Sequence, residues 1–288
     1  MQPLEHLGFI GLGNMGGPIA LRLLRAGYPM TVLDLDESKM EPLVKEGAKT
    51  AKTPGEVARS ASIVLASLHP EGIERVIVGK EGIGDTAREG LALVDLSSTP
   101  PDLAICLSDF LRVRGVGMLD APLSGADIGA TNGKLTIFVG GDYEIYLRCL
   151  PVLQSIGEFV TYLGKSGNGQ VAKQINQMMQ AFSELAVFEG LLLAERMGLD
   201  LKMFVRAVSG GCAQSWRLDE LVKQVWNQGE KKYRMRIRPS RTANALEMAR
   251  KAGLPLRGAE TAHQIFSDRG WEVVIDFEQP SQQAPRPT

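Results

Sequence analysis

The chain has 288 residues, 44% of them hydrophobic and 23% charged, with a formal net charge of −1. That length suits one large domain or two ordinary ones, and the near-neutral balance gives no overall pull toward nucleic acid or membrane. Cys106, Cys149 and Cys212 are an odd, scattered set without C-x-x-C, which excludes a disulfide framework and points to a reducing compartment.

His6, His69 and His263 are too far apart in sequence for the usual zinc spacings, so no metal is expected. The first apolar run, LGFIGLGNMG, is short, glycine-rich and preceded by Glu5, unlike a signal peptide. The best membrane candidate, residues 181–194, is interrupted by Glu184 and Glu189. A soluble protein is expected, cytoplasmic, with the mitochondrial matrix left open.

From the N-terminus, LGFI reads as a short buried strand. Gly11-Leu12-Gly13-Asn14-Met15-Gly16 follows as G-x-G-x-x-G, and apolar residues at Met15, Ile19, Leu23 and Ala26 then fit a helix that Gly27 ends. Gly11 permits the tight turn, Gly13 lets backbone approach a pyrophosphate, and Gly16 allows close helix–strand packing. A lone glycine motif is weak evidence. This one follows a strand, opens a helix and is succeeded by Asp34 at the end of PMTVLDLD, the place of a ribose-binding acid. A carboxylate there repels a 2′-phosphate and Leu35 supplies no cation, so NAD is favoured over NADP. SIVLASL (62–68) and LALVDLSS (91–98) continue as buried parallel strands, and VGMLDAPLSG and LTIFVGG as further ones. In SSTPPD, Ser98 or Thr99 reads as a helix cap ahead of proline.

After GKSGNGQ the strand-like runs stop. Residues 169–197 form one long helical pattern, with further helices expected near 200–208, 213–228 and 241–252. The Pro- and Gln-rich end reads as disordered. The expectation is an α/β chain: an N-terminal Rossmann domain with a doubly wound parallel sheet over 1–164, an all-helical domain over 165–275, and a tail over 276–288. Lys173, Asn176 and Gln177 stand at i, i+3 and i+4, so they share one face at the mouth of the long helix.

GFIGLGNMGGPIA, DLSSTPP, DAPLSGADIGATNGKLTIFVGG and GNGQVAKQINQ, in that order, resemble the β-hydroxyacid dehydrogenases over roughly residues 7–266. That family includes 3-hydroxyisobutyrate dehydrogenase, tartronate semialdehyde reductase and L-threonate dehydrogenase. The resemblance implies hydride transfer between a nicotinamide cofactor and a small 3-hydroxy acid or its semialdehyde. It implies Lys173 as general acid/base, with Asn176 orienting the substrate beside it. Hydride transfer to a carbonyl needs a proton delivered to oxygen, and a partly desolvated lysine can exchange one near neutral pH. Ser124 and Gly125 match the substrate-carboxylate site, although the usual second glycine is Ala126. Gln177 stands where some members have a second Asn, and Trp216 falls in a region that lines the substrate pocket of relatives. Thr99 matches a nicotinamide contact, and Leu68-His69 replaces a Leu-Pro pair beside the cofactor. The resemblance also implies a homodimer or homotetramer.

The pattern breaks near the C-terminus. A family Lys-Asp-Leu stretch is Ser240-Arg241-Thr242 here, so its lysine is missing. The preceding KKYRMRIRPSR is basic. Arg238 or Arg241 could replace the lysine, the run could be solvated surface, or it could bind a polyanion, for which it lacks stacking aromatics beyond Tyr233. Pro239 disfavours a helix there. The rival reading is a non-catalytic nicotinamide-binding protein with a partner-binding segment at 231–241.

Overall fold

The computed structural model describes residues 4–224, 232–235, 238–268 and 273–277. The chain divides into two compact units, Met1–Lys173 and Gln174–Thr288.

The first unit is built on short strands: β1 (Leu7–Ile10), β2 (Met30–Leu33), β3 (Lys49–Thr50), β4 (Ile63–Ala66), β5 (Ala92–Asp95) and β6 (Gly117–Asp120). They pair in the order β3-β2-β1-β4-β5-β6, all parallel. This is the doubly wound sheet expected, and its order reverses between β1 and β4, where such sheets take their ligands. The strands read as unbroken apolar runs because both faces are covered. Leu7, Phe9, Leu65 and Val94 point into one core cluster, while Ile10, Val64, Ala66 and Leu93 point into the other.

The covering helices are α1 (Gly16–Arg25), α2 (Glu41–Lys45), α3 (Pro54–Ser60), α4 (Pro70–Val78) and α5 (Pro101–Arg112). Four of the five carry Pro at the first or second position, where its missing N–H costs nothing. Beyond β6 the chain adds β7 (Leu123–Ser124), α6 (Ala126–Asn132), β8 (Leu135–Gly141), α7 (Tyr143–Gln154) and β9 (Gly157–Tyr162). LTIFVGG, in β8, runs antiparallel to β6 and β7 and parallel to β9, so the far edge of the sheet is mixed. The step from β7 to β8 is short, too short for the crossover a parallel pair needs.

Helix α8 (Asn168–Arg196) begins in the first unit and supplies the spine of the second. The second unit continues with α9 (Leu201–Ser209), α10 (Trp216–Val222), α11 (Ser240–Lys251) and α12 (Arg257–Ser267). Its core joins Phe188 and Leu191 of α8 to Val205, Leu221 and Phe266. Pro239 does not prevent the helix that follows. It sits as the N-cap of α11, where proline is tolerated. One element departs from an all-helical second half: β10 (Lys232–Met235) pairs antiparallel with β11 (Val273–Asp276). The expected tail beyond residue 277 lies outside the described residues, as do Lys231 and Arg236 of the basic run. No helix among the described residues is long and apolar enough to cross a membrane.

Candidate active site

The glycine loop connects β1 to α1 at the point where strand order reverses. Gly11 adopts φ +91°, a left-handed conformation that side chains disfavour. A Cβ on Gly16 would run into the Gly11 carbonyl, so Gly16 lets the helix start directly against the strand. Gly13 faces open space and is exposed together with Asn14. Helix α1 has no side-chain cap and no acid in its first turn. No carboxylate offsets the positive dipole end of α1, and although the Gly17 N–H is bonded to the Gly13 carbonyl (3.0 Å), the exposed, uncluttered loop at Gly13 and Asn14 fits the pyrophosphate of a dinucleotide. Asp34, just past β2, is fixed in place: its Oδ2 accepts from the Leu12 N–H (2.6 Å) and its Oδ1 from the Asp36 N–H (2.9 Å). Lys39 Nζ stands 3.6 Å from the same Oδ1.

Leu68 follows β4, and its N–H donates to Ser97 Oγ (3.0 Å). His69 is exposed and forms the N-cap of α4 through its backbone, without a side-chain cap bond. Helix α5 is capped by Pro100 with no side-chain bond, so neither Ser98 nor Thr99 caps it. The Thr99 hydroxyl instead donates to Asp95 Oδ2 at 2.6 Å, and the residue is fully buried. Asp95, at the end of β5, also accepts the Ser97 N–H at 2.9 Å. Burial pushes its carboxyl up to about 6, against the pull of these donors.

Ser124 ends β7 and is half-buried, and Gly125, at φ +129°, is the exposed N-cap of α6. Asp120 was not foreseen. It ends β6 beside Asp95 in register, is 2% exposed, and accepts the N–H groups of Gly167 and Gln170 at the start of α8. Burial raises its carboxyl above the ordinary range, while those backbone donors oppose the rise. Gln170 is itself buried and donates from Nε2 to the Ser97 carbonyl (2.8 Å).

Lys173 stands one turn after Gln170 and is 8% exposed, a rare fate for lysine. Asn176 and Gln177, the next turn of α8, are half-buried and belong to the second unit. Trp216 opens α10 and is 52% exposed, so it is not a core tryptophan. Arg241 does not stand free to replace the missing lysine. Its Nη1 lies 2.6 Å from Oε2 of buried Glu184, and Arg217 Nη2 lies 3.4 Å from Oε1. Neighbouring Thr242 bonds His263 Nδ1 (2.9 Å). Arg238 is exposed.

The family described as the NAD binding domain of 6-phosphogluconate dehydrogenase matches residues 6–164. That described as the NAD-binding domain of NADP-dependent 3-hydroxyisobutyrate dehydrogenase matches residues 167–271. A probable mitochondrial 3-hydroxyisobutyrate dehydrogenase-like protein of Arabidopsis thaliana is 34% identical over 90% of this chain and 78% of its own length. The 2-hydroxy-3-oxopropionate reductase of Escherichia coli is 33% identical over 91% of this chain and 90% of its own. The fold matches Mycobacterium tuberculosis 3-hydroxyisobutyrate dehydrogenase, solved with L-serine, at TM-score 0.81 and 24% identity, covering 92% of this chain and 93% of that one. With the glycine loop, the doubly wound sheet and both matched regions in place, the chain belongs to the β-hydroxyacid dehydrogenase family of nicotinamide-dependent oxidoreductases.

Proposed function

We propose that the chain interconverts a small 3-hydroxy acid and its semialdehyde or oxo acid, with Lys173 moving the proton. The observation that carries this reading is the burial of Lys173 one turn into α8, in the same unit as the glycine loop. A lysine buried at that point can exchange a proton with a substrate oxygen away from bulk water. The loop Gly11–Gly16 and the N-terminus of α1 would hold the cofactor pyrophosphate, Asp34 would hold its ribose, and Leu68, His69 and Thr99 would flank its nicotinamide half. Ser124 and the Gly125 N–H hold the substrate carboxylate, to which hydroxyl and amide donors are suited. Asn176 orients the reacting oxygen, with Gln177 and Trp216 limiting substrate size. The nicotinamide, when bound, would supply the hydride acceptor or donor. Lys173 takes the hydroxyl proton as the carbon loses hydride, and returns it to the carbonyl oxygen in the reverse direction.

NAD is the preferred carrier in this reading because a carboxylate at Asp34, just past β2, would repel a 2′-phosphate. Lys39, 3.6 Å away, tempers that repulsion, so discrimination is expected to be moderate. The test follows nicotinamide absorbance with NAD, then NADP, against 3-hydroxyisobutyrate, glycerate and threonate. One acid should reduce NAD, with kcat/KM above that for NADP, and Lys173→Ala should abolish turnover while sparing NADH binding. Unchanged turnover in Lys173→Ala would sink the assignment of the lysine.

A further inference from the structure

We propose that Asp120 is a positioning residue for the reaction: its carboxylate clamps the first turn of α8 and so sets where Lys173 stands. The proposal rests on the assignment of Lys173 as the proton-transfer group. Most long helices are capped by a residue of their own leading loop. Here Asn168 opens α8, but its side-chain amide turns back to the Leu163 carbonyl (2.7 Å). The capping oxygens come instead from the end of β6. Asp120 Oδ1 accepts from the Gly167 N–H at 2.8 Å, and Oδ2 from the Gln170 N–H at 3.0 Å. Each oxygen taking its own N–H is the bonding pattern of an ionised carboxylate.

The approach is tight. A Cβ on Gly169 would meet the carbonyls of Phe138 and Asp120, and one on Gly140 would lie 2.8 Å from Asp120 Oδ1. Two positions thus lack a side chain so that helix, strand and carboxylate can close on one another. Gln170 adds a second strap by donating to the Ser97 carbonyl, two residues before Thr99. The start of α8 is therefore tied to the ends of both β5 and β6. Gln170 and Lys173 are one turn apart and both buried, so the lysine inherits the position that the clamp imposes. Proton transfer demands such precision, since a displacement of about 1 Å can cost roughly a hundredfold in rate. The carboxylate also offsets the positive end of the helix dipole, in whose second turn Lys173 stands.

The test uses the full chain with its cofactor and the best acid from the panel above, comparing Asp120→Asn, Asp120→Ala and Gln170→Met with wild type. NADH affinity should stay within about twofold in all three, while kcat falls about tenfold in Asp120→Asn and about a hundredfold in Asp120→Ala. Asn can still accept one N–H, whereas Ala accepts neither. Both Asp120 variants lose the same charge, so in both the acidic limb of the oxidation profile should move to lower pH by a similar amount. Gln170→Met should lower kcat without moving the limb. Wild-type kcat and limb in Asp120→Ala would overturn the proposal. So would an unmoved limb with kcat lost only in step with thermal stability, the signature of a plain helix cap. If the Asp120 variants do not fold, unchanged kcat in Gln170→Met overturns it alone. Full turnover in Lys173→Ala removes the lysine assignment and this proposal with it. A dead Lys173→Ala beside an unaffected Asp120→Ala removes the clamp alone.

Discussion

Asp95 gives the first unit a specific pH signature. Its carboxyl is fully buried and rises from an ordinary 3.8 to about 6, with loss of hydration the largest cause and the Ser97 and Thr99 donors acting against it. A raised carboxyl means that the folded state holds the proton more tightly than the unfolded chain. The stabilisation is then fully present below the unfolded value, declines as pH rises through about 6, and is absent above it. The full difference is about 3 kcal/mol, at roughly 1.36 kcal/mol for each unit, and about 2–3 kcal/mol of it falls between pH 4 and pH 7. Asp95→Asn removes the titration while keeping an acceptor for the Ser97 N–H. Groups that move the other way, such as Glu5 held down by Arg148, are present in both proteins and cancel in the comparison. Thermal unfolding of wild type and Asp95→Asn across this range should show the wild type losing ground by roughly 5–10 °C relative to the variant, using about 2–4 °C per kcal/mol for a unit of this size. Parallel curves from pH 4 to pH 7 would refute the argument and mean that the donors already compensate the buried charge in full.

Thiol labelling of the native protein should titrate Cys106 and Cys212, which are exposed, and spare Cys149, whose thiol burial pushes up to about 12; the third thiol should appear only on unfolding. Glu184→Ala should destabilise the second unit by about 2 kcal/mol, below the 3–5 typical of a broken buried pair because Arg241 is one-third exposed. All three tryptophans lie in that unit, so urea unfolding followed by tryptophan fluorescence reads it directly, and an unchanged midpoint would show the ion cluster to be neutral. Ile175, Met179 and Leu193 leave apolar surface on α8, and Met197 just past its end, which a second copy would cover. Light scattering should therefore return a dimer or larger, and a monomeric mass would discard this expectation.

What could be read from sequence was what is local. β1, the glycine loop, α1 and Asp34 lie within one stretch, where Gly11 takes a left-handed turn and Gly16 leaves room for the Gly11 carbonyl. The apolar runs of β4 and β5 were legible because a strand buried on both faces has no polar alternation to confuse it. The pairing of β10 with β11 was not. Lys232–Met235 reads as charged surface, and its partner strand Val273–Asp276 comes only after two intervening helices. The loss of the family lysine at Ser240 was visible. That Arg241 spends its charge on Glu184, 57 residues earlier, was not, because ion pairing depends on which helices meet.

The same division runs through the candidate site. Helical spacing puts Lys173, Asn176 and Gln177 on one face, and the roles expected of them, like those of Ser124 and Gly125, come from resemblance. Asp95 and Asp120 were hidden because an acid at the end of a strand has the appearance of a turn residue. Ser98 or Thr99 reads as a cap because Ser or Thr ahead of Pro satisfies the local rule, and only the fold reveals a buried carboxylate four residues before Thr99 that takes its hydroxyl instead. Asp120 finds its donors 47 and 50 residues downstream, beyond any local rule. One trace of it does exist in the sequence. GNGQ places glycine at 167 and 169, one on each side of the residue that opens α8, where a helix start would ordinarily favour a capping side chain. Glycines at a helix start, with a buried acid ending a distant strand, signal that the cap is supplied from outside the helix. That combination, ahead of the lysine proposed to move the proton, marks Asp120 in the sequence.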